Sequence, residues 1–277
     1  MIIVTGASGL LGSAVVANLL DRLPAEQIGV SVRDPRQLAD LQRRGVRVRQ
    51  GDFADPTSLE TAFEGASAVL IVSVNGIGDD SVRQHRNAIT AAVAAGAKRI
   101  LYTSHMGADP SSPFPPMPDH AATEEALRAA GTAFTSLRNG FYASTVPMLL
   151  RKALETGELR VPEDGPIAWT THADLAEAAA RILVDSPFDG PTPPLTGPEA
   201  IDMSRVAEIA GRDIRHVVIS DEEYRHDLLA AGLPAPAADM LVGMFAAGRR
   251  GDFGPADPAL ATLLGRPATT IEQFLRA

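Results

Sequence analysis

Gly6, Gly9 and Gly12 recur at three-residue spacing in Met1-Ile2-Ile3-Val4-Thr5-Gly6-Ala7-Ser8-Gly9-Leu10-Leu11-Gly12. Such a triplet does chemistry only at a strand-to-helix junction, where backbone N–H groups and the positive end of a helix converge on an anion. The context meets that condition. A β-branched apolar run stops at Gly6, and helix-spaced apolar residues follow at Ala14, Val15, Val16, Leu19 and Leu20. Gly6 permits the turn, Gly9 lets N–H groups approach a pyrophosphate, and Gly12 lets the helix lie close to the strand. The expectation is a dinucleotide held by Gly6, Ala7, Ser8, Gly9, Leu10 and Leu11; the competing reading is a tight turn without a ligand.

The next informative position ends the second apolar strand. An acidic residue there would bond the ribose 2′-hydroxyl of NAD, whereas an arginine accommodates a 2′-phosphate. The chain offers Arg33, followed by Asp34-Pro35. NADPH is therefore favoured over NADH, with Asp34 keeping NADH in play. Asp52 and Phe53 end the third strand, where they would meet adenine; Asp52 could equally turn the loop into the next helix. Ser73, Val74 and Asn75 follow the fourth strand, and Thr103 and Ser104 end the fifth, all on the rim where doubly wound sheets bind ligands.

The chain lacks the tyrosine-lysine pair, four residues apart, that ordinarily protonates a ketone during hydride transfer. Its tyrosines are followed four residues later by Met106, Val146 and Leu228, and its two lysines are Lys98 and Lys152. The corresponding helix is expected to begin at His120 and has Glu124 in the lysine's place. General acid catalysis is worth roughly 10²–10⁴-fold, so a suitable substrate is one that needs no strong donor. Quinones fit, because hydride addition gives an already stabilised aromatic oxyanion. His120 remains a candidate proton donor, with a polar contact at a helix start as the plainer reading. Phe114, Met117, His120 and Tyr142 are candidate contacts to a planar substrate. The six histidines show no metal-ligand spacing, so neither metal nor flavin is expected.

These residues require alternating strands and helices. Strands are expected over Gln27–Arg33, Val46–Phe53, Ala68–Val72, Arg99–Ser104 and Ala133–Arg138, with helices near 36–44, 79–95 and 120–130. Inside the long helix, one of Gln84, His85, Arg86 and Asn87 could anchor neighbouring backbone. Five prolines between Gly107 and Asp119 predict an irregular, semi-rigid loop that is either a lid or a surface connection. Beyond Leu150 the alternation weakens: short strands at 158–161 and 167–170 flank an Asp164-Gly165 turn, and further strands are expected near Pro194-Leu195 and over 214–219. Helices are expected near 174–183, 203–211, 221–231, 237–247 and 271–276. The fold class is α/β, a doubly wound parallel sheet over residues 1–150 with a smaller α/β domain over 151–277, some of whose segments could return to the large one.

Composition narrows the rest. With 277 residues, 45% hydrophobic and 21% charged, the chain can bury a full core. A net charge of -9 opposes generic nucleic-acid binding, and Arg43-Arg44 and Arg249-Arg250 are expected to be solvated surface. No apolar run suits a membrane span, and the N-terminus does not read as a signal peptide. The absence of cysteine excludes disulfides and thiolate chemistry and fits a cytoplasmic enzyme. A homodimer stays open.

The glycine spacing, Val32-Arg33-Asp34-Pro35, Gln84-His85-Arg86-Asn87, Ala95-Gly96-Ala97-Lys98, Tyr102-Thr103-Ser104 and Leu137-Arg138-Asn139-Gly140-Phe141-Tyr142 run in order across the first half. Together they resemble the NmrA-like branch of atypical short-chain dehydrogenases, nearest its bacterial NADPH:quinone oxidoreductase type 2 and triphenylmethane reductase groups. The second half matches through Ala173-Asp174-Leu175. The resemblance implies an NADPH-binding large domain, a smaller C-terminal domain and a cleft between them. Gly6 to Leu11 would hold the pyrophosphate and Arg33 the 2′-phosphate. Ser73, Val74 and Asn75, with Arg138, Asn139, Gly140, Phe141, Tyr142 and Ala143, would line the ribose and nicotinamide. The activity implied is hydride transfer to quinones or similar planar acceptors. The family also contains triarylmethane dye reductases and non-catalytic NADP(H) redox sensors that act through a protein partner.

Overall fold

The computed structural model describes residues 1–185, 187–211 and 213–277. Its centre is a parallel sheet of β1 (Ile2–Thr5), β2 (Ile28–Val32), β3 (Arg47–Gln50), β4 (Ala68–Ile71), β5 (Arg99–His105), β6 (Ala133–Asn139) and, further along the chain, β10 (Gly190–Pro191). Their spatial order is β10-β6-β5-β4-β1-β2-β3. The order reverses between β1 and β4, which makes a crevice at the carboxyl ends of the strands. Alternate residues of one strand serve opposite faces. Val4, Val30, Leu70 and Leu101 pack toward α1 (Leu10–Leu20). Ile3, Val69, Ile71, Ile100 and Tyr102 pack with residues of α3 (Pro56–Phe63), α4 (Asp79–Ala94) and α5 (Pro116–Ala129). That two-sided burial explains the unbroken apolar runs in the sequence.

A second core, built around Phe141, Trp169, Phe245 and Phe253, holds the smaller body. It is assembled from α6 (Thr145–Thr156), α8 (Met203–Ala210), α9 (Asp221–Ala230), α10 (Ala235–Arg249) and α12 (Ile271–Arg276), with two small parallel pairs. β8 (Glu158–Pro162) pairs with β11 (Arg215–Ile219), and β7 (Phe141–Tyr142) with β9 (Trp169–Thr170). The strands expected to flank the Asp164-Gly165 turn therefore do not pair with each other. Between these pieces the chain returns to the large body. α7 (His172–Asp185) packs on α1, α11 (Ala259–Leu264) packs on α7, and β10 extends the sheet beside β6.

Local chemistry corrects other expectations. α5 starts at Pro116, not His120. Pro116 and Pro118 occupy its first turn, where a missing N–H leaves no hydrogen bond unmade. α6 was not anticipated. On α4, His85 and Ala88 are buried, while Val93 is 39% exposed. Near Pro194-Leu195 there is only a single bridge from Leu195 to Asn139. The proline-rich segment is pinned at several points: Phe114 and Met117 sit in the second core, and Ser112 Oγ donates to Asp252 Oδ2 at 2.8 Å. Arg249 and Arg250 are exposed, as expected, and also bonded: Arg250 donates to the Ser111 carbonyl at 2.6 Å, and Arg249 pairs with Asp221 at 2.7 Å.

Candidate functional site

A cleft of about 430 Å³ opens at the carboxyl ends of β1, β2, β3 and β4. Its floor is the glycine turn. Gly6 has φ +61°, a left-handed conformation that suits glycine, and its carbonyl accepts the Gly9 N–H at 2.9 Å. A Cβ on Gly12 would collide with that same carbonyl, so Gly12 is required by the fold itself. Gly9 differs: an added Cβ would meet nothing in the protein closer than 3.4 Å. Nothing within the protein therefore requires a glycine at position 9. α1 begins at Leu10 with no side-chain cap and no acidic residue in its first turn. Its free N–H groups and positive end are left for an anion, a site suited to a pyrophosphate.

At one end of the cleft stands Arg33, exposed at the end of β2. The neighbouring Asp34 is engaged elsewhere. Its carboxylate accepts from Arg36 Nε at 2.8 Å and from the Arg36 backbone at 3.2 Å, and the Arg36 guanidinium holds its carboxyl below the usual range. Asp52 and Phe53 line the cleft beside it. Asp52 Oδ1 also accepts the Ala54 N–H at 2.9 Å, so the carboxylate turns the loop as the plainer reading had it.

The far wall is Ser73, Val74, Asn75 and Gly76, and its backbone is bonded from behind. The Val72 N–H donates to Thr5 Oγ1 at 2.9 Å, and the Ser73 N–H to Thr103 Oγ1 at 2.8 Å. The Val74 N–H donates to His85 Nε2 at 3.0 Å, while the other ring nitrogen lies 3.0 Å from Thr123 Oγ1. Thr123 directs its own hydroxyl to the Asp119 carbonyl, so His85 must donate from Nδ1, and the ring is neutral. Burial agrees, lowering the His85 pKa to about 3. Asn87 Nδ2 donates to the Phe53 carbonyl at 2.8 Å. Two members of the Gln84-His85-Arg86-Asn87 motif thus anchor backbone, and a third, Gln84, lines the cleft.

The structure brings Gly6, Ser8, Gly9, Arg33, Asp52, Phe53, Ser73, Val74 and Asn75 onto one surface. Ala7 and Leu11 are buried beneath it, and Leu10 is 71% exposed beside it. The remaining expected residues are not among those that line the cleft. Ser104 Oγ donates to Glu124 Oε1 at 2.7 Å, and Arg138 grips the same carboxylate through Nε at 3.1 Å and through a terminal nitrogen at 2.8 Å. Glu124, in the place of the usual lysine, is thus a buried anion clamped in the interior. Asn139, Phe141 and Ala143 are buried; Gly140 packs so tightly that a Cβ would strike Thr170 Oγ1; and the Tyr142 ring lies 4.3 Å from that of His172. Phe114 and Met117 are core side chains, with the Phe114 and Phe141 rings 5.6 Å apart. His120 Nδ1 lies 2.8 Å from the Tyr102 hydroxyl.

Sequence reasoning did not name Ser31, Gly51 or Gly76, which also line the cleft. Gly51 could have been found, since a glycine directly after a strand marks a close backbone approach. A wider hollow of about 570 Å³ opens at the opposite end of the strands, among Met1, Ser67, Lys98 and Leu183. It has neither glycine turn nor helix N-terminus among its lining residues, so the chemistry belongs to the smaller cleft. Among the described residues no helix is long and apolar enough to cross a membrane.

Comparison with known proteins agrees with this geometry. Residues 6–186 match the NAD(P)H-binding family model. The chain is 35% identical to quinone oxidoreductase 2 of Escherichia coli, over 99% of this chain and 96% of that one. The crystal structure of the NADPH-dependent quinone oxidoreductase of that organism, complexed with NADPH, superposes with a TM-score of 0.94 over 100% of this chain and 99% of that one. A Citrobacter sp. triphenylmethane reductase complexed with NADP(H) follows at 32% identity and a TM-score of 0.90, with 100% and 99% covered. An NmrA-like family domain-containing oxidoreductase of Aspergillus flavus is 30% identical over 99% of this chain and 94% of its own length. By these matches the chain belongs to the NAD(P)H-binding, NmrA-like family of oxidoreductases.

Proposed function

We propose that the chain is an NADPH-dependent reductase of quinones or similar planar conjugated acceptors, working without flavin or metal. The observation that carries the cofactor choice is the pairing of Asp34 with Arg36, which leaves Arg33 as the charge offered to the ribose end of the cleft. A 2′-phosphate would complement it, and a free 2′-hydroxyl would not need it. The glycine turn would hold the pyrophosphate, and the wall from Ser73 to Asn75 would orient the nicotinamide ribose. When bound, the reduced nicotinamide supplies a hydride. The choice of acceptor rests on the missing tyrosine-lysine pair and on relatives named for quinones, triphenylmethane dyes and azo compounds.

The test is NADPH and NADH consumption with a panel of quinones, triarylmethane dyes and azo dyes. Turnover of quinones with NADPH preferred is the expected result. Tight cofactor binding with no turnover of any acceptor would replace this reading by that of a redox sensor. Arg33→Ala should weaken NADPH binding by roughly ten- to a hundredfold, the worth of one charge-assisted contact, and leave NADH nearly unchanged. Equal loss for both cofactors would refute the role of Arg33.

A further inference from the structure

Of the residues of α4, Gln84 lines the cleft. One turn later on the same face of the helix, Asn87 Nδ2 donates to the Phe53 carbonyl at 2.8 Å, which ties that face to the loop after β3. Gln84 therefore shares its part of the cleft with Phe53. One turn earlier, Asp80 Oδ2 accepts from Gln84 Nε2 at 2.6 Å. An ionised carboxylate offers acceptors only, so the amide nitrogen must be the atom that faces it. Asp80 is exposed, and Arg83, together with Gln84, holds its carboxyl below the usual range. Gln84 Oε1 is left as the open end of the side chain. It accepts no hydrogen bond from the described residues and is not among their enclosed, unpaired polar atoms, so a ligand in the cleft can reach it.

We propose that Gln84 Oε1 accepts a hydrogen bond from the exocyclic amino group of adenine, and that Asp80 fixes the amide in the orientation this requires. This rests on the reading of the cleft as an NADPH site. A carbonyl oxygen cannot bond a phosphate, because both only accept. The ribose hydroxyls and the nicotinamide belong with Arg33, the glycine turn and the wall from Ser73 to Asn75. Beside Gln84, the half-buried Phe53 offers an apolar surface to a flat base. The donor that remains for Oε1 is the amine on the purine edge, the group a glutamine amide matches.

The fixed amide makes the site selective. In the hypoxanthine analogue of NADPH an oxygen replaces the amino group, so two acceptors would face each other. A free glutamine would turn over and offer its nitrogen instead. Gln84 cannot do so without setting Oε1 against the Asp80 carboxylate. Asp52, also beside Phe53, already has Oδ1 occupied by the Ala54 N–H.

Calorimetric titration of the full chain with NADPH and with its reduced hypoxanthine analogue tests this without reference to turnover. The wild type should bind NADPH roughly ten- to a hundredfold more tightly than the analogue. Gln84→Met should weaken NADPH and bind the two within about twofold of each other. Asp80→Asn, an exposed substitution, frees the amide to turn and should narrow the gap by strengthening the analogue, a gain that loss of structure could not produce. Equal affinities in the wild type overturn the proposal. A preference that survives in Gln84→Met overturns it too and gives the amino group to another acceptor, and an unchanged gap in Asp80→Asn removes the orienting role. A wild type that binds neither compound sinks the NADPH reading itself, whereas tight NADPH binding without discrimination leaves that reading standing and removes only the role of Gln84.

Discussion

The glycine turn and the assembly behind the cleft wall solve the same problem, the placing of polar groups, by opposite means. In the turn, every group that could face a pyrophosphate comes from six consecutive residues, Gly6 to Leu11, and the positive charge is that of backbone dipoles. Behind the wall, the groups come from α4, β5, α5 and β6, and include a buried carboxylate and three imidazoles held neutral. Backbone dipoles cannot titrate, and mutation removes them only by changing the path of the chain. Side chains brought together over distance can be protonated or deleted one at a time. The anion site should therefore be robust and the wall sensitive.

Acid should show this most strongly. His85, His105 and His120 have folded pKa values of about 3, 3 and 4, below the ordinary 6.5 of an unfolded chain. Below pH 6.5 the unfolded state binds protons that the folded state refuses. Their neutral burial is thus fully tolerated above that pH, and stability falls as pH drops toward 4. With all three taking up protons on unfolding, the slope approaches about 4 kcal/mol per pH unit. Urea unfolding followed between pH 7 and pH 4.5 measures it, and a flat profile would show that the imidazoles are not sealed from water.

Arg138→Met comes next. It leaves Glu124 with Ser104 and the longer Arg128 contact at 3.4 Å, and breaking a buried pair of this kind costs about 3–5 kcal/mol. Thermal melts read the loss, which should shrink in the double variant with Glu124→Gln. Gly12→Ala sharpens the other side of the contrast. Its Cβ collides with the Gly6 carbonyl, at a cost of about 1–3 kcal/mol, and it should abolish cofactor binding by displacing the turn. Gly9→Ala should be the mildest in stability, within about 0.5 kcal/mol, because its Cβ meets the protein only at the Gly6 carbonyl, 3.4 Å away. Calorimetry with NADPH should nevertheless find binding weakened about tenfold or more. A Gly9 variant that binds normally would break the claim that a ligand passes close over that residue.

The same contrast explains what the sequence could convey. The alternation of strands and helices over the first half, the glycine turn and the place of Arg33 at the end of β2 were legible because each rests on neighbours in the chain. The anchoring role within Gln84-His85-Arg86-Asn87 was legible as a possibility, but His85 could not be singled out until Val74 and Thr123 were seen on either side of its ring. Arg138 was read as lining the nicotinamide, and nothing local told that Glu124 would draw its guanidinium inward. The short strands 158–161 and 167–170 were read as flanking an Asp164-Gly165 turn, and their partners, β11 and β7, lie too far away in the chain to be read from it. Five prolines argued against helix from 107 to 119, and the argument failed where Pro116 and Pro118 fall in a first turn. The arginines at 249 and 250 are exposed, as the sequence suggested, but their partners, Asp221 and Ser111, are distant in sequence and could not be named from it.

The return of the chain to α7 has a practical bearing. α7 lays Leu175, Ala179 and Ile182 against the helix that follows the glycine turn, and Arg266, arriving from near the C-terminus, reaches Asp174 at its start. A hybrid enzyme that swaps acceptor specificity between relatives by one splice at residue 150 would thus carry away part of the nucleotide half's own packing. Grafts that exchange 141–170 and 198–258 together, and leave 172–197 with its native host, respect the way the polypeptide is woven.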